Sequence, residues 1–328
     1  MRLSPSARLR KLLEDREHNP LIVVGAHNAL FAKLAEMAGF KAVYVSGACT
    51  SLERYGLPDI GLITATEMVE NVRCITAATK LPVIADAETG YGNAINVMRT
   101  VREYIRAGVA ALHIEDQVQP KRCGHLKGKM LISIEEMVGK IKAAKRVIKE
   151  EDDNIILVAR TDARNAVGGG LEEVIKRLKA YVAAGADVVC SDVLLSKEEI
   201  RRVVKEVKAP VAYHPTGLSP RLSIEECKKL GVVSVVFPIT PLQVEAVAVW
   251  NFYQELIKKG TQAQIEIEEK IKEHPLGTLV KLFEVGGLSK FLEYEKEYLP
   301  KEEVMLKYEK SFGLMPEEEK TEKNKNKY

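Results

Sequence analysis

Arg106-Ala-Gly-Val-Ala-Ala-Leu-His-Ile-Glu-Asp-Gln117 holds a whole structural unit in twelve residues. Its Ala-Gly ends a helix, because glycine accepts the left-handed cap that turns the chain into the next element. The run Ala110–Glu115 is almost continuously apolar, as a parallel strand buried on both faces requires. It then breaks into Glu115-Asp116-Gln117, a cluster of polar groups at the strand's end. The same helix-ending phrase recurs as Ala35-Glu-Met-Ala-Gly-Phe and as Ala183-Ala-Gly-Ala, each just before another apolar run. It is structural punctuation without chemistry of its own.

Eight such runs can be placed: Leu21–Gly25, Ala42–Ser46, Pro82–Asp86, Ala110–Glu115, Ile155–Arg160, Asp187–Ser191, Pro210–Tyr213 and Val232–Phe237. Between them lie patterns with apolar positions three and four apart, at Ile95–Ala107, Ile134–Lys149, Leu171–Ala184 and Pro241–Lys259, which predict helices. Eight strand–helix units within about 240 residues predict an α/β fold of the (β/α)8 TIM-barrel type, for which ~250 residues is typical. A doubly wound sheet would need a glycine-rich turn after the first strand, and Gly25-Ala-His-Asn-Ala-Leu is not one. The barrel is expected over residues 1–260 and a C-terminal helical extension over 261–315, with helices at Gln262–Lys272 and Ser289–Tyr298. The tail 316–328 is almost all Glu, Lys and Asn and is expected to be disordered. Helices added beyond a complete barrel suggest an oligomer.

Composition narrows the function. Forty-nine Lys and Arg against 46 Asp and Glu leave a net charge of +3, much of it in the tail, so no basic stripe marks a nucleic-acid binder. Seven Phe and one Trp offer few platforms for stacking bases. No apolar run approaches the ~20 residues that cross a bilayer, and the basic start Met1-Arg-Leu-Ser-Pro-Ser-Ala-Arg lacks the apolar stretch of a secretion signal. No nucleic-acid or membrane partner is expected, and a cytoplasmic location is. Five scattered cysteines do not form a disulfide framework. Four of them have apolar neighbours and are expected to be buried; Cys123 differs.

In such a barrel chemistry gathers where strands end and βα loops begin. Val45-Ser46-Gly47-Ala48 ends the second run, followed by Leu57-Pro58-Asp59; Asp86-Ala-Glu88 ends the third; Glu115 the fourth; Arg160-Thr-Asp162 the fifth. Asp59, Asp86, Glu88 and Glu115 would repel one another unless a cation or a proton neutralises them. An all-oxygen cluster suits Mg²⁺, or Mn²⁺ in its place. The alternative is that these acids cap helices or pair with Arg and Lys. Arg160 has a planar fork suited to a substrate carboxylate, or to an ion pair with Glu115 or Asp86. In the polar loop Gln117–Met130, Lys121-Arg-Cys-Gly-His125 puts a thiol beside two cations and a histidine, which should lower its pKa and leave it exposed. Cys123 is then an acid, base or nucleophile, or else an incidental surface cysteine. Gly124 and Gly128 would let the loop move as a lid.

Lys121-Arg-Cys-Gly-His after Ile-Glu-Asp-Gln resembles the signature of the isocitrate lyase and phosphoenolpyruvate mutase superfamily. Tyr44-Val-Ser-Gly-Ala, Gly56-Leu-Pro-Asp-Ile-Gly, Asp86-Ala-Glu-Thr-Gly-Tyr-Gly and Val158-Ala-Arg-Thr-Asp-Ala extend the resemblance over residues 22–260, and within the superfamily they are most like the 2-methylisocitrate lyase branch. The resemblance implies a barrel whose eighth helix swaps between subunits of a homotetramer. It implies that Ser46, Gly47 and Ala48 bind a substrate carboxylate and that Asp86 ligates Mg²⁺, with Asp59, Glu88 and Glu115 holding its waters. It further implies a catalytic set of Cys123, Arg160 and Glu115, with Gly124 and His125 beside the substrate.

Glu88 stands where the lyases commonly carry Asp, which keeps the charge but lengthens the arm, and three positions in the second half depart further. Asp192 stands where Glu is usual, His214 where Asn is, and Gln243 where Arg is. Asp192 and His214 are expected at the substrate nonetheless. The expected reaction is Mg²⁺-dependent cleavage of a 2-methylisocitrate-like 2-hydroxy acid to pyruvate and succinate. The alternatives on the same site are oxaloacetate hydrolysis or decarboxylation, dimethylmalate cleavage and carboxyphosphonoenolpyruvate phosphonomutase chemistry; a catalytically silent barrel that only binds is the reading outside enzymes.

Overall fold

The structure is a computed structural model describing residues 3–15 and 20–316. It contains eight strands: β1 (Leu21–Gly25), β2 (Val43–Val45), β3 (Val83–Asp86), β4 (Ala111–Glu115), β5 (Ile156–Thr161), β6 (Val188–Ser191), β7 (Ala212–Tyr213) and β8 (Ser234–Phe237). They pair in parallel in the order β6-β5-β4-β3-β2-β1-β8-β7. A further parallel bridge, Val189 to Val211, brings β6 against the lead-in to β7 and closes the circle. This is the (β/α)8 barrel expected from the sequence. Gly39, Gly108 and Gly185, the glycines of the recurring phrase, have φ of +88°, +90° and +111°. Only glycine adopts such angles without strain.

Side chains alternate across each strand, and both faces are apolar. Val43, Val45, Val83, Ala85, Leu112 and Leu157 face the helices, and Tyr44, Ile84, Ala111, Ile156, Val158 and Val188 face the axis. At the end away from the βα loops, a helix unread in the sequence, Pro5–Glu14, packs Leu9, Leu12 and Leu13 into the axial cluster. Ser4 caps it by accepting the Ala7 N–H, and a proline opens its first turn. Arg10 pairs with Asp187 at 3.4 Å, and Ser6 donates to Asp152 at 2.7 Å. One end of the barrel is thus stoppered with leucine, and the other is left for chemistry.

Two compact units are present, Met1–Glu245 and Ala246–Tyr328. The helix Thr240–Lys259 runs across the division, and Thr261–Ile271, Leu279–Val285, Leu288–Tyr298 and Lys301–Glu309 follow it. The first and third of these four were anticipated to within two residues; the other two lie in the stretch expected to be helical but were not placed individually. Past Pro316 the expected disorder of the charged tail lies outside the described residues. Cys49, Cys190 and Cys227 are buried, but Cys74 on the helix Ala65–Ala78 is exposed, contrary to the expectation drawn from its apolar neighbours. Among the described residues no helix is long and apolar enough to cross a membrane.

Candidate active site at the open end of the barrel

The alternation that builds the core also builds the site. On β3 the axis-facing parity runs from Ile84 to Asp86; on β4 it runs Ala111, His113, Glu115; on β5 it runs Ile156, Val158, Arg160. On β6 it runs Val188, Cys190 and then Asp192, and after Ala212 on β7 comes His214. Each strand therefore turns from apolar to charged along one row of side chains. Between the two levels Tyr44 shares a 2.8 Å hydrogen bond with Nδ1 of His113, and Cys190 Sγ lies 3.4 Å from its Nε2. Burial pushes His113 down to about 3, so its ring is neutral near pH 7.

Four acids meet at the mouth. Lys121 lies between two of them, its Nζ 2.5 Å from Asp59 and 2.7 Å from Glu88. Glu115 lies 3.4 Å from Arg160. Asp86 forms no direct ion pair with a Lys or Arg among the described residues; its oxygens accept the Gly47 and Glu88 backbone N–H groups at 3.2 and 2.9 Å. Burial pushes Asp86 up, but nearby His113, then the charges of Lys121 and Arg160 and the Glu88 N–H, together outweigh it and hold the carboxyl below its usual range. Burial wins at the other two: Glu88 is pushed up to about 7 despite Lys121, and Glu115 well above the carboxylate range despite Arg160. The backbone shows the crowding as well. Glu88 has φ +54°, and a Cβ on Gly47 would run into the Glu88 carboxylate. Only glycine lets the second loop lie against these acids.

The cluster suits a hard cation. Glu88 Oε1 and Glu115 Oε1 are buried with no hydrogen-bond partner among the described residues, and Glu88 Oε2 faces Lys121 off the hydrogen-bonding direction. Every donor is an oxygen. Among the described residues no three His, Cys, Asp or Glu converge as a ready-made cage. Mg²⁺ commonly takes one or two carboxylates and keeps its remaining positions for water and substrate.

The opposite side is organised by Arg160. Its Nε and Nη2 meet both Asp162 oxygens at 2.9 and 2.8 Å, and Nη2 is 2.8 Å from Asp192. Asp192 in turn lies 3.0 Å from Nδ1 of His214. Burial opposes the Asp192 charge, but Arg160 and His214 hold the carboxyl far below its usual range. Val193, the next residue, sits at φ +62°, a conformation costly for a β-branched side chain. Asp86, expected as a possible partner of Arg160, is not one; Asp162 is.

The loop carrying Cys123 lies down over this cluster. A Cβ on Gly124 would come within 2.5 Å of Arg160 Nη2 and 2.9 Å of Asp162 Oδ1. Lys129, buried, donates to the carbonyls of Gly124 at 2.6 Å and Leu126 at 2.7 Å. His125 Nε2 is 3.0 Å from the Thr216 hydroxyl, and the Leu218 N–H points at its Nδ1. Cys123 is half-buried rather than exposed, and its amide donates to the Asp59 carbonyl. The expected lowering of its pKa is overturned. Burial pushes the thiol up, against the opposing His125 N–H, because Lys121 is taken by Asp59 and Glu88 and Arg122 lies exposed.

Ser46, Ala48, Asp59, Asp86, Cys123, Gly124, His125, Arg160, Asp192 and His214 line one cleft of about 260 Å³, joined by Gln243 at its rim. Of the residues singled out in the sequence, Gly47, Glu88 and Glu115 stand just behind that lining. Lys121 as a bridge between acids, Tyr44 and Thr216 in the lining, and Asp162 as the brace of Arg160 were not foreseen. Asp162 was readable as a strand-end acid; the span from Lys121 to Asp59, 62 residues apart, left no sequence signal.

A closed barrel that gathers buried acids, an arginine and a thiol at its open end has the organisation of a catalytic site. The sequence profile described as phosphoenolpyruvate phosphomutase matches residues 9–257. The chain is 43% identical over 263 residues to a 2-methylisocitrate lyase of Aeropyrum pernix, covering 80% of this chain and 82% of that one. It is 38% identical over 301 residues to the 2,3-dimethylmalate lyase of Eubacterium barkeri, covering 90% and 99%. A crystal structure of a 2,3-dimethylmalate lyase superposes with TM-score 0.84 at 32% identity, covering 96% of this chain and all of that one. A phosphonopyruvate hydrolase in complex with oxalate and Mg²⁺ superposes with TM-score 0.78 at 30% identity, covering 91% and 100%. The chain belongs to the phosphoenolpyruvate mutase and isocitrate lyase family, and on these likenesses it is a carbon–carbon lyase.

Proposed function

We propose that the protein is a divalent-metal-dependent lyase that breaks a carbon–carbon bond of a 2-hydroxy acid and releases an α-keto acid. Its sequence likeness points to a 2-methylisocitrate-like acid giving pyruvate and succinate. The observation that carries the reading is one cleft with buried, under-neutralised acids on one side and a protonated thiol on the other. Mg²⁺, held by Asp86 with Asp59, Glu88 and Glu115 around it, would supply positive charge to the hydroxyl and carboxylate oxygens of the acid.

The chain's own groups do the rest. Ser46 caps the helix Gly47–Tyr55 by accepting the Cys49 N–H and Asp86 takes the Gly47 N–H, so the Ala48 N–H of the first turn is the donor placed for a carboxylate. Arg160, its Nε and Nη2 engaged, offers Nη1 to another. As the bond to C2 breaks, its electron pair leaves with the departing fragment, the hydroxyl proton passes to an ionised carboxylate of the cleft and a C=O forms. Cys123 then gives its proton to that fragment. A thiol pushed up by burial is in the right state for this, and the raised pKa favours the acid role over the nucleophile. The Cys123–His125 loop keeps water from the carbanion.

A smaller acid is the second reading: 2,3-dimethylmalate, or oxaloacetate opened by hydrolysis or decarboxylation, with carboxyphosphonoenolpyruvate rearrangement on the same acids. The Asp192–His214 pair on the far side favours it. The catalytic part is assigned to residues 1–260. The helical extension 261–315 and the helix Thr240–Lys259 are assigned to a homotetramer with helix exchange, a reading supported by the exposure of Val247, Trp250, Tyr253 and Ile257. Five free cysteines support a reducing compartment such as the cytoplasm.

The test is incubation with Mg²⁺ and 2-methylisocitrate, isocitrate, dimethylmalate or oxaloacetate, with α-keto acid followed through lactate dehydrogenase and oxaloacetate by its absorbance. Turnover that stops with a chelator and returns with Mg²⁺ is the expected result. Turnover indifferent to chelation, or none with any acid and no Mg²⁺-dependent rise in melting temperature, overturns it.

A further inference from the structure

We infer that Asp116 is a positioning residue, a carboxylate behind the barrel wall that ties the helix Leu171–Ala183 to Asp162 and so aims Arg160 at the substrate. The role serves the lyase reading and rests on it. Asp116 follows Leu112 and Ile114 in the helix-facing row of β4, so its side chain lies outside the cleft that Glu115 beside it serves. It is fully buried. Its Oδ2 accepts from the hydroxyls of Thr161 and Tyr181, each at 2.6 Å, and from Arg177 Nη1 at 3.1 Å. Its Oδ1 accepts the Asp162 N–H, also at 3.1 Å. Arg177 and Tyr181 lie one turn apart on the helix Leu171–Ala183, which lines no part of the cleft.

The two oxygens have different tasks. Three donors hold Oδ2, and together they fix the plane in which Oδ1 points. What Oδ1 holds is the first amide beyond the β5 ladder: Thr161 still pairs with Ser191, and Asp162 has left the sheet. Asp162 then turns its own carboxylate onto Nε and Nη2 of Arg160 at 2.9 and 2.8 Å. Such a two-pronged pair depends on the orientation of both partners. Glu115 competes for the same Nε from 3.4 Å. With Asp162 loosened, the guanidinium would turn toward Glu115, and the Nη1 offered to a substrate carboxylate would leave its place. A carboxylate that served only to anchor the helix would need Oδ2 and not Oδ1.

The test is a double-mutant cycle on the full-length protein with Mg²⁺, using whichever of 2-methylisocitrate, isocitrate, 2,3-dimethylmalate or oxaloacetate the wild type turns over. A carboxylate accepts at both oxygens and an amide at only one. In Asp116→Asn the Arg177 charge takes that one, which leaves an amide N–H against the Asp162 N–H. KM should rise about tenfold with kcat within about twofold, the signature of a lost binding contact of charge-assisted strength. In an Arg160→Lys background, which has no fork to aim, the same change should move KM by less than about twofold. An equal factor in both backgrounds, or a lower melting temperature with KM unmoved, overturns the inference and leaves Asp116 an anchor of the helix. Should Asp116→Asn fail to fold, Tyr181→Phe keeps the ring, removes one donor to Oδ2 and enters the same cycle, with a KM rise of about threefold expected. Crystal structures of wild type and Tyr181→Phe give a readout that needs no turnover: an Arg160 fork displaced from Asp162 supports the inference, and an unmoved one overturns it. A wild type inactive on all four acids would sink the lyase reading alone and leave that structural comparison to decide the role of Asp116.

Discussion

The two sides of the cleft handle buried charge in opposite ways. On the β3–β4 side, Glu88 and Glu115 are pushed up by burial because Lys121 and Arg160 do not suffice for them. On the β5–β7 side, Arg160, Asp162, Asp192 and His214 are matched to each other at 2.8–3.0 Å, and Asp192 is held down. One side is electrostatically unfinished; the other is matched within itself. Buried charge that remains uncompensated is costly enough to be functional rather than incidental.

The largest effect should come from breaking the unfinished side. Asp86→Asn keeps the shape but removes the one acid of the cluster with no direct Lys or Arg ion pair among the described residues. Activity should fall by ~10³ or more, since a Lewis acid contributes several kcal/mol to the transition state. The Mg²⁺-dependent rise in melting temperature should vanish with it. A variant that still answers Mg²⁺ would move the metal elsewhere. Next comes Cys123→Ser, expected to lower kcat by ~10²–10⁴, the usual span for a general acid. Calorimetry should show Mg²⁺-dependent oxalate binding unchanged, because Cys123 faces the departing fragment.

The finished side should show itself in stability. Asp192→Asn breaks a buried network and should cost about 3 kcal/mol near neutrality. The pH dependence has a definite sign. The folded carboxyl lies far below the unfolded value of about 3.9, so its contribution is complete above that value, begins to shrink below it and is lost only as the pH falls through the folded value. Urea-unfolding curves of wild type and Asp192→Asn should therefore differ by a full gap near pH 6 and by a visibly smaller one at pH 2.5. A constant gap across that range would show that Asp192 is not held ionised by its neighbours.

The fold was legible because local rules decided it. Apolar runs such as Ala110–Glu115 and capped glycines such as Gly108 and Gly185 are set by neighbours along the chain. The helix Pro5–Glu14 escaped notice because its leucines find their partners only once the barrel exists. The roster of site residues was legible for a related reason: strand parity carries the row from Ile84 to Asp86, or Val158 to Arg160, to the mouth whatever the loops do. Pairing was not legible. The cations beside Cys123 in sequence turn elsewhere in space, so a thiol read as acidified is instead raised by burial. Charge partners depend on loop geometry, and sequence adjacency is a poor guide to it.

The smallest expected effect concerns the strap that joins the two sides. Lys129 is buried and spends its ammonium on the carbonyls of Gly124 and Leu126, while its own carbonyl accepts the Val167 N–H. Burial pushes this amine down, so the hydrogen bonds rather than an ion pair are what hold it. Lys129→Met preserves the length of the side chain and removes the donors. The loop should then open more often, raising the alkylation rate of Cys123 by about tenfold, as loss of a charge-assisted hydrogen bond implies, with kcat/KM falling by a similar factor. Cys74 provides the internal reference, being exposed on the helix Ala65–Ala78, remote in sequence from the loop. Its alkylation should stay constant. If the buried Cys49, Cys190 and Cys227 become reactive together with Cys123, Lys129 stabilises the barrel as a whole. Selective exposure of Cys123 assigns it to the loop that closes the unfinished side against the finished one.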